Sequence, residues 1–144
     1  MKIPIPRPGL VIRYSFLWSH EAQKGAVEAS KERPCAIVVA VRRGDGDNIR
    51  VVVSPITHTP PADTSASIKI PPEVSQAIGL DGQEQWLRLD ELNSFSWPGF
   101  DLRSVPGKDD IEYGSLPEHI YQQLKSSILL RQRSQRSQRP INRN

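Results

Sequence analysis

The chain has 144 residues, 37% hydrophobic and 24% charged, enough for one soluble domain with its own core. Its formal charge of +3 comes from a C-terminal tail. Arg131, Arg133, Arg136, Arg139 and Arg143 have no acid among them, and the other fourteen basic and sixteen acidic residues leave a net of −2. These totals exclude a generally basic nucleic-acid coat, so any anion site in the body must be local.

The N-terminus, MKIPIPRPGL, is broken by three prolines and lacks the apolar stretch of a signal peptide. No later run approaches the length of a membrane span, so a cytoplasmic protein without membrane association is expected. Residues 9–18 (GLVIRYSFLW), rich in β-branched and aromatic side chains, predict the first strand. Residues 19–32 (SHEAQKGAVEASKE) are polar, contain Gly25 and have no strand pattern. They predict a long mobile loop with room for one helical turn, and loops of that length are often functional.

Two dense apolar runs follow, Ala36–Val41 and Ile49–Val53, joined by the turn-forming Gly44-Asp45-Gly46-Asp47-Asn48. They predict a central β-hairpin. Its outer ends carry Glu32-Arg33-Pro34 and Pro55-Ile56-Thr57-His58, and antiparallel pairing makes Arg33 and Thr57 neighbours. Cys35, the single cysteine, sits in an apolar run and has neither a disulfide partner nor a Cys/His cluster of zinc-ligand spacing.

Residues 58–66 form a turn-rich connection and Ser67–Ile70 a short strand. Pro71-Pro72-Glu73 opens a short helix that stops at Gly79. Residues 85–92 (QWLRLDEL) alternate, which places Trp86, Arg88 and Asp90 on one face and Leu87, Leu89 and Glu91 on the other. Ser94–Trp97 and Ile111–Gly114 are further short strands, separated by a Gly/Pro-containing loop. Ser115 and Glu118 have capping-box spacing, and Leu116, Ile120, Tyr121, Leu124 and Ile128 recur with helical period. The expected architecture is therefore mostly β with helices (α+β). It is a small antiparallel barrel over residues 1–130, with a short inter-strand helix and a C-terminal helix at 115–130. A disordered basic tail at 131–144 completes the chain.

Taken in order, several of these features resemble the MazF/PemK family of toxin endoribonucleases. The first is the run from Gly9 to Arg13, followed by a polar loop that ends in Arg33-Pro34. Behind it come the strand Cys35–Val41, the strand ending in Ser54-Pro55-Ile56-Thr57, and Arg88-Leu89-Asp90 with Ser94-Phe95-Ser96-Trp97 just after. The resemblance covers residues 9–130. It implies an SH3-like barrel, homodimers, and cofactor- and metal-independent cleavage of single-stranded RNA, as in an mRNA interferase. It also implies growth inhibition relieved by a cognate antitoxin, as in a type II toxin–antitoxin system. Arg33 then matches the family's catalytic arginine and Thr57 its active-site threonine. Arg88 and Asp90 match the Arg-x-Asp pair of the PemK-like branch, and His20 matches the histidine of its first loop. That loop is several residues longer here, and Pro60-Pro61 and the arginine tail also depart from the pattern.

Metal-independent RNA cleavage drives the ribose 2′-OH onto the adjacent phosphorus. The site needs a base for that hydroxyl, cations for the phosphorane charge and an acid for the leaving 5′ oxygen. A guanidinium suits the charge but cannot serve as base. On this reading Asp90 is the general base, and Arg33 and Arg88 stabilise the transition state. Thr57 binds phosphate or positions Arg33, and an arginine or histidine donates the proton. His58, His20, Lys31 and Pro34 would line the substrate path. The plainer readings stand beside these: a salt-bridged strand face for Arg88 and Asp90, and exposed loop histidines for His20 and His58. Two rival functions remain open. One is a non-catalytic barrel that binds protein or nucleic acid, like a gyrase-poisoning growth inhibitor. The other is an RNA-binding accessory protein driven by its tail, in which case deleting residues 131–144 would remove all activity.

Overall fold

The computed structural model describes residues 1–29, 31–44, 46, 48–134 and 139–144. Asp45 and Asp47 of the expected hairpin turn, Ser30 of the first loop and Arg136 of the tail lie outside the described residues. The elements run β1 (Leu10–Ser15), α1 (Ser19–Gln23), β2 (Glu32–Arg42), β3 (Ile49–Thr57), β4 (Ser67–Ile70) and α2 (Pro72–Ile78). They continue with β5 (Gln85–Arg88), β6 (Asn93–Ser96), β7 (Glu112–Ser115), α3 (Glu118–Arg133) and β8 (Ile141–Asn142). The strands make one curled, mostly antiparallel sheet in the order β4-β5-β3-β2-β1-β7, the half-barrel expected of a small α+β domain.

The β2–β3 hairpin is the centre of this sheet. Cys35 lies opposite Pro55 and Ile37 opposite Val53, and the register shifts by one residue before Val39 meets Val52. Such a bulge bends the strand and increases its local twist, which is what a short sheet needs in order to curl. β3 divides its free edge between two partners. Arg50–Val53 pair with β6, while Ile56 and Thr57 pair with β5.

Both faces of the central strands are buried, and alternate residues serve different cores. Ala36 and Val38 face a cluster with Ile56, Leu87, Leu116 just before α3, and the α3 residues Ile120, Leu124 and Ile128. Cys35 and Ile37 face a second cluster with Ile12, Tyr14, Phe16, Val51 and Phe95. That double burial explains why the hairpin reads as continuous apolar runs rather than a half-exposed alternation.

α2 forms as its residues dictate, with proline in the first turn and Gly79 at φ 95° closing it. Its last turn presses on β7 so closely that a Cβ built on Gly114 would lie 2.7 Å from the Ile78 carbonyl oxygen. Gly114→Ala should therefore destabilise the fold by about 1–3 kcal/mol through overpacking against backbone. An unchanged urea midpoint would show that the α2–β7 contact yields freely.

Three expectations are corrected. The first strand ends at Ser15 rather than Trp18, because the Leu17 amide pairs with the Asn93 side chain instead of a neighbouring strand. The Leu17 N–H donates to Asn93 Oδ1 at 2.9 Å, and Asn93 Nδ2 returns a bond to the Leu17 carbonyl at 2.8 Å. The C-terminal helix starts at Glu118 after Pro117 with no side-chain cap. Ser115 is taken by β7, where it pairs with Leu10 and accepts a bond from Arg7.

The third correction concerns the tail. α3 continues through Arg131 to Arg133, and β8 adds to the sheet parallel to β6. Arg143 is the anchor, its side chain only 3% exposed. It donates to the Ser15 carbonyl at 2.7 Å and to Asn93 Oδ1 at 3.1 Å, pairs with Asp101 at 3.2 Å and lies over the Tyr14 ring. Among the described residues no helix is long and apolar enough to cross a membrane.

Candidate active site

The site lies where the outer end of the hairpin meets the start of the first loop. The β2–β3 ladder ends at Cys35 and Pro55, two residues short of Arg33 and Thr57, and both of these line two adjoining clefts of about 510 and 640 Å³. In the smaller cleft they meet Arg88, Asp90 and His20, with Trp18, Ser19, Thr59, Glu91 and Arg131 completing the wall. The larger cleft holds Lys31, Pro34 and His58. All eight residues singled out from the sequence thus line this pair of clefts, five of them (His20, Arg33, Thr57, Arg88 and Asp90) on the 510 Å³ side.

Trp18 is the floor of the arrangement. The Arg33 guanidinium carbon stands 4.9 Å from its ring centroid and that of Arg88 stands 5.4 Å away, so two cations share one indole. Cation–π attraction favours this placement, and a planar guanidinium is suited to it. The indole is fixed by its own backbone. The Trp18 N–H donates to Glu21 Oε1 at 3.1 Å, with Glu21 in the first turn of α1. The next amide, Ser19 N–H, donates to Glu91 Oε1 at 2.7 Å. Each acid lies where a helix N-terminus favours negative charge. β5 ends at Arg88 rather than running on to Leu92, yet burial still alternates past it: Asp90 is half-buried in the cleft and Glu91, 7% exposed, bonds the start of the loop.

Arg88 and Asp90 form a two-point pair. Nε donates to Oδ1 at 2.9 Å and Nη2 to Oδ2 at 2.8 Å, and that hydrogen bonding holds the Arg88 pKa above its usual value. A carboxylate has about four lone-pair directions, so Asp90 can still accept from a substrate hydroxyl while oriented by Arg88. Arg33 is perturbed the other way. Burial lowers its pKa, opposed in part by Glu21, and its Nε is shielded with no hydrogen-bond partner among the described residues. A guanidinium stays charged at neutral pH whatever its burial.

Thr57 is 8% exposed, and its Oγ1 accepts from the Thr59 N–H at 3.1 Å. Because its oxygen is the acceptor there, its own O–H is left to donate. His20 stacks on Trp18, the centroids 6.5 Å apart, at the rim of the cleft. His58 is on the other side, with Nε2 2.8 Å from Asp81 Oδ2, and belongs to the approach rather than to the group around Asp90. Cys35 is fully buried and its thiol is pushed far up by desolvation, so it does not supply a nucleophile.

Among the described residues no group of three or more His, Cys, Asp or Glu side chains could hold a metal ion. Sequence reasoning missed Arg131 as a wall of the cleft because its surroundings read as tail. The helical period of Leu124 and Ile128 could have been carried one turn further to find it. Compared with protein-family models and with curated protein sequences, the chain matches none. What fold and site define is a class: a small curled β-barrel domain with an arginine-rich, carboxylate-bearing cleft at the rim of its central hairpin.

Proposed function

We propose that this protein is an endoribonuclease that cleaves single-stranded RNA without a metal, acting as the toxin of a toxin–antitoxin pair and as a homodimer. The observation that carries the catalytic part is the meeting of Arg33, Thr57 and the Arg88–Asp90 pair around one cleft. The resemblance to MazF/PemK toxins supplies the antitoxin and the dimer. In the reaction Asp90 takes the proton of a ribose 2′-OH. The freed oxygen attacks the adjacent phosphorus, and the 5′ oxygen leaves with a proton from a neighbouring donor, for which His20 stands nearest the cleft. Arg33 and the Thr57 hydroxyl neutralise the phosphorane oxygens, and Arg88 orients Asp90. The products are a 2′,3′-cyclic phosphate and a free 5′-OH.

The purified protein in EDTA should cut a mixed-sequence single-stranded RNA pool to fragments ending in 2′,3′-cyclic phosphate. It should leave the all-deoxy equivalents intact, since these lack the nucleophile. Absence of cutting across the pool would remove the enzyme reading.

One observation favours a second reading, a non-catalytic barrel that binds RNA or protein. Both oxygens of Asp90 are engaged by Arg88, which suits a structural pair as well as an oriented base. Asp90→Asn separates the two, because it should abolish cutting by an enzyme yet leave RNA affinity in a binding module within about threefold.

A further inference from the structure

Among the described residues three guanidinium groups, from three different elements, line the 510 Å³ cleft: Arg33 of β2, Arg88 of β5 and Arg131 of α3. They are not equivalent. Arg88 spends Nε and one Nη on Asp90. Arg33 and Arg131 each have an Nε that is shielded from solvent and has no hydrogen-bond partner among the described residues. Arg131 is nonetheless held in place, since its Nη1 donates to the Ser65 carbonyl at 3.2 Å, tying the end of α3 to the turn before β4. Arg33 is held by the Trp18 ring.

A shielded guanidinium N–H without an acceptor is costly, and such groups in a folded protein mark strain or an ion site. Both belong to anchored arginines that line one cleft, which favours the ion. The carboxylates of the cleft do not satisfy them. Asp90 is engaged by Arg88, and Glu91 accepts from the Ser19 N–H. Hydroxyl donors, Ser19, Thr57 and Thr59, complete the wall.

We infer that Arg131 and Arg33 together form an oxyanion site that takes a tetrahedral phosphate. The end of α3 would then clamp the RNA backbone in the cleft. The identity of the bound phosphate as an RNA phosphodiester rests on the proposed function; the site itself does not. Arg131 is a substrate-holding residue on this account, distinct from the diffuse attraction of a basic tail. Its neighbour Arg133, which does not line the cleft, provides the contrast.

The test is a titration of the full chain, labelled with 15N-arginine, by inorganic phosphate, with sodium chloride at matched ionic strength as the comparison. The Nε–H signals of Arg33 and Arg131 should move together along one isotherm that chloride does not reproduce. Arg131→Ala should weaken phosphate binding read at Arg33 by at least about tenfold, the scale of one charge-assisted hydrogen bond. Arg133→Ala should leave it unchanged. An Arg131 signal that stays still while Arg33 responds overturns the inference, as does an equal response to chloride. The wild-type titration decides this even if Arg131→Ala fails to fold. Joint phosphate binding by a protein that cuts no RNA would sustain the site and remove the enzyme. RNA cutting with a silent Arg131 would do the reverse.

Discussion

Arg33→Ala should lower RNA cleavage by about 10²- to 10³-fold, the usual loss when one preorganised transition-state donor is removed. The fold should survive. The deleted side chain is half-buried over Trp18 and contributes an Nε with no partner, so little is left uncompensated when it goes. Thermal melting of the variant within a few degrees of wild type, together with the lost cutting, is the expected pair of results. Arg33→Lys should recover little, because an ammonium has neither the flat face that lies on the indole nor the fork that meets two phosphate oxygens. Cutting that persists in Arg33→Ala would come from another site or another protein. A coupled loss of cutting and of folding would make Arg33 a structural residue.

The largest effect on stability is expected at Arg143. Its side chain is almost fully buried, and it is the shared donor for the Ser15 carbonyl, Asn93 Oδ1 and Asp101. Removing one member of a buried, hydrogen-bonded ion pair leaves the other charge and its acceptors without compensation. Arg143→Ala should therefore cost about 3–5 kcal/mol in urea unfolding. Arg139, in the same tail, is exposed, and its replacement by alanine should change stability by no more than about 0.5 kcal/mol. Equal, small effects at both positions would mean that the last strand does not contribute to the folded body. Asn93 links this anchor to the site. Its side chain bonds Leu17 on both sides, just before Trp18, so loosening Arg143 should also loosen the floor of the cleft. Deleting residues 131–144, a simple test of a tail-driven function from the sequence alone, is no longer clean: it removes Arg131 from the cleft and Arg143 from the core.

The hairpin, the short helix and the alternating face of Trp86, Arg88 and Asp90 were legible in the sequence. Each follows from residues close together along the chain. β-branched runs bounded by Gly and Asp pair as a hairpin, and its outer ends bring Arg33 and Thr57 to the same clefts. Proline starts α2 and glycine in the left-handed region ends it. The alternation of residues 85–92 puts Arg88 and Asp90 on one face, although β5 itself ends at Arg88 and Asp90 lies in the bend after it. Where two local signals competed, tertiary pairing decided. Ser115 has the spacing of a helix cap, yet the ladder to Leu10 claims its backbone, and α3 begins after Pro117.

The rest was decided only by the fold. Nothing local in an Arg/Ser/Gln tail distinguishes Arg143 from Arg139, because its partners Ser15, Asn93 and Asp101 are 128, 50 and 42 positions away. In the same way Trp18, Arg33, Arg88 and Arg131 belong to four separate segments. The sequence by itself determined which side chains could carry the chemistry and which two of them the hairpin's outer ends would bring to one rim. The curled sheet decided that the indole would lie under both cations, and that the end of the last helix would bring a third cation to the same cleft. Local order follows from neighbours a few residues apart, whereas a cleft is made by burial across the whole chain.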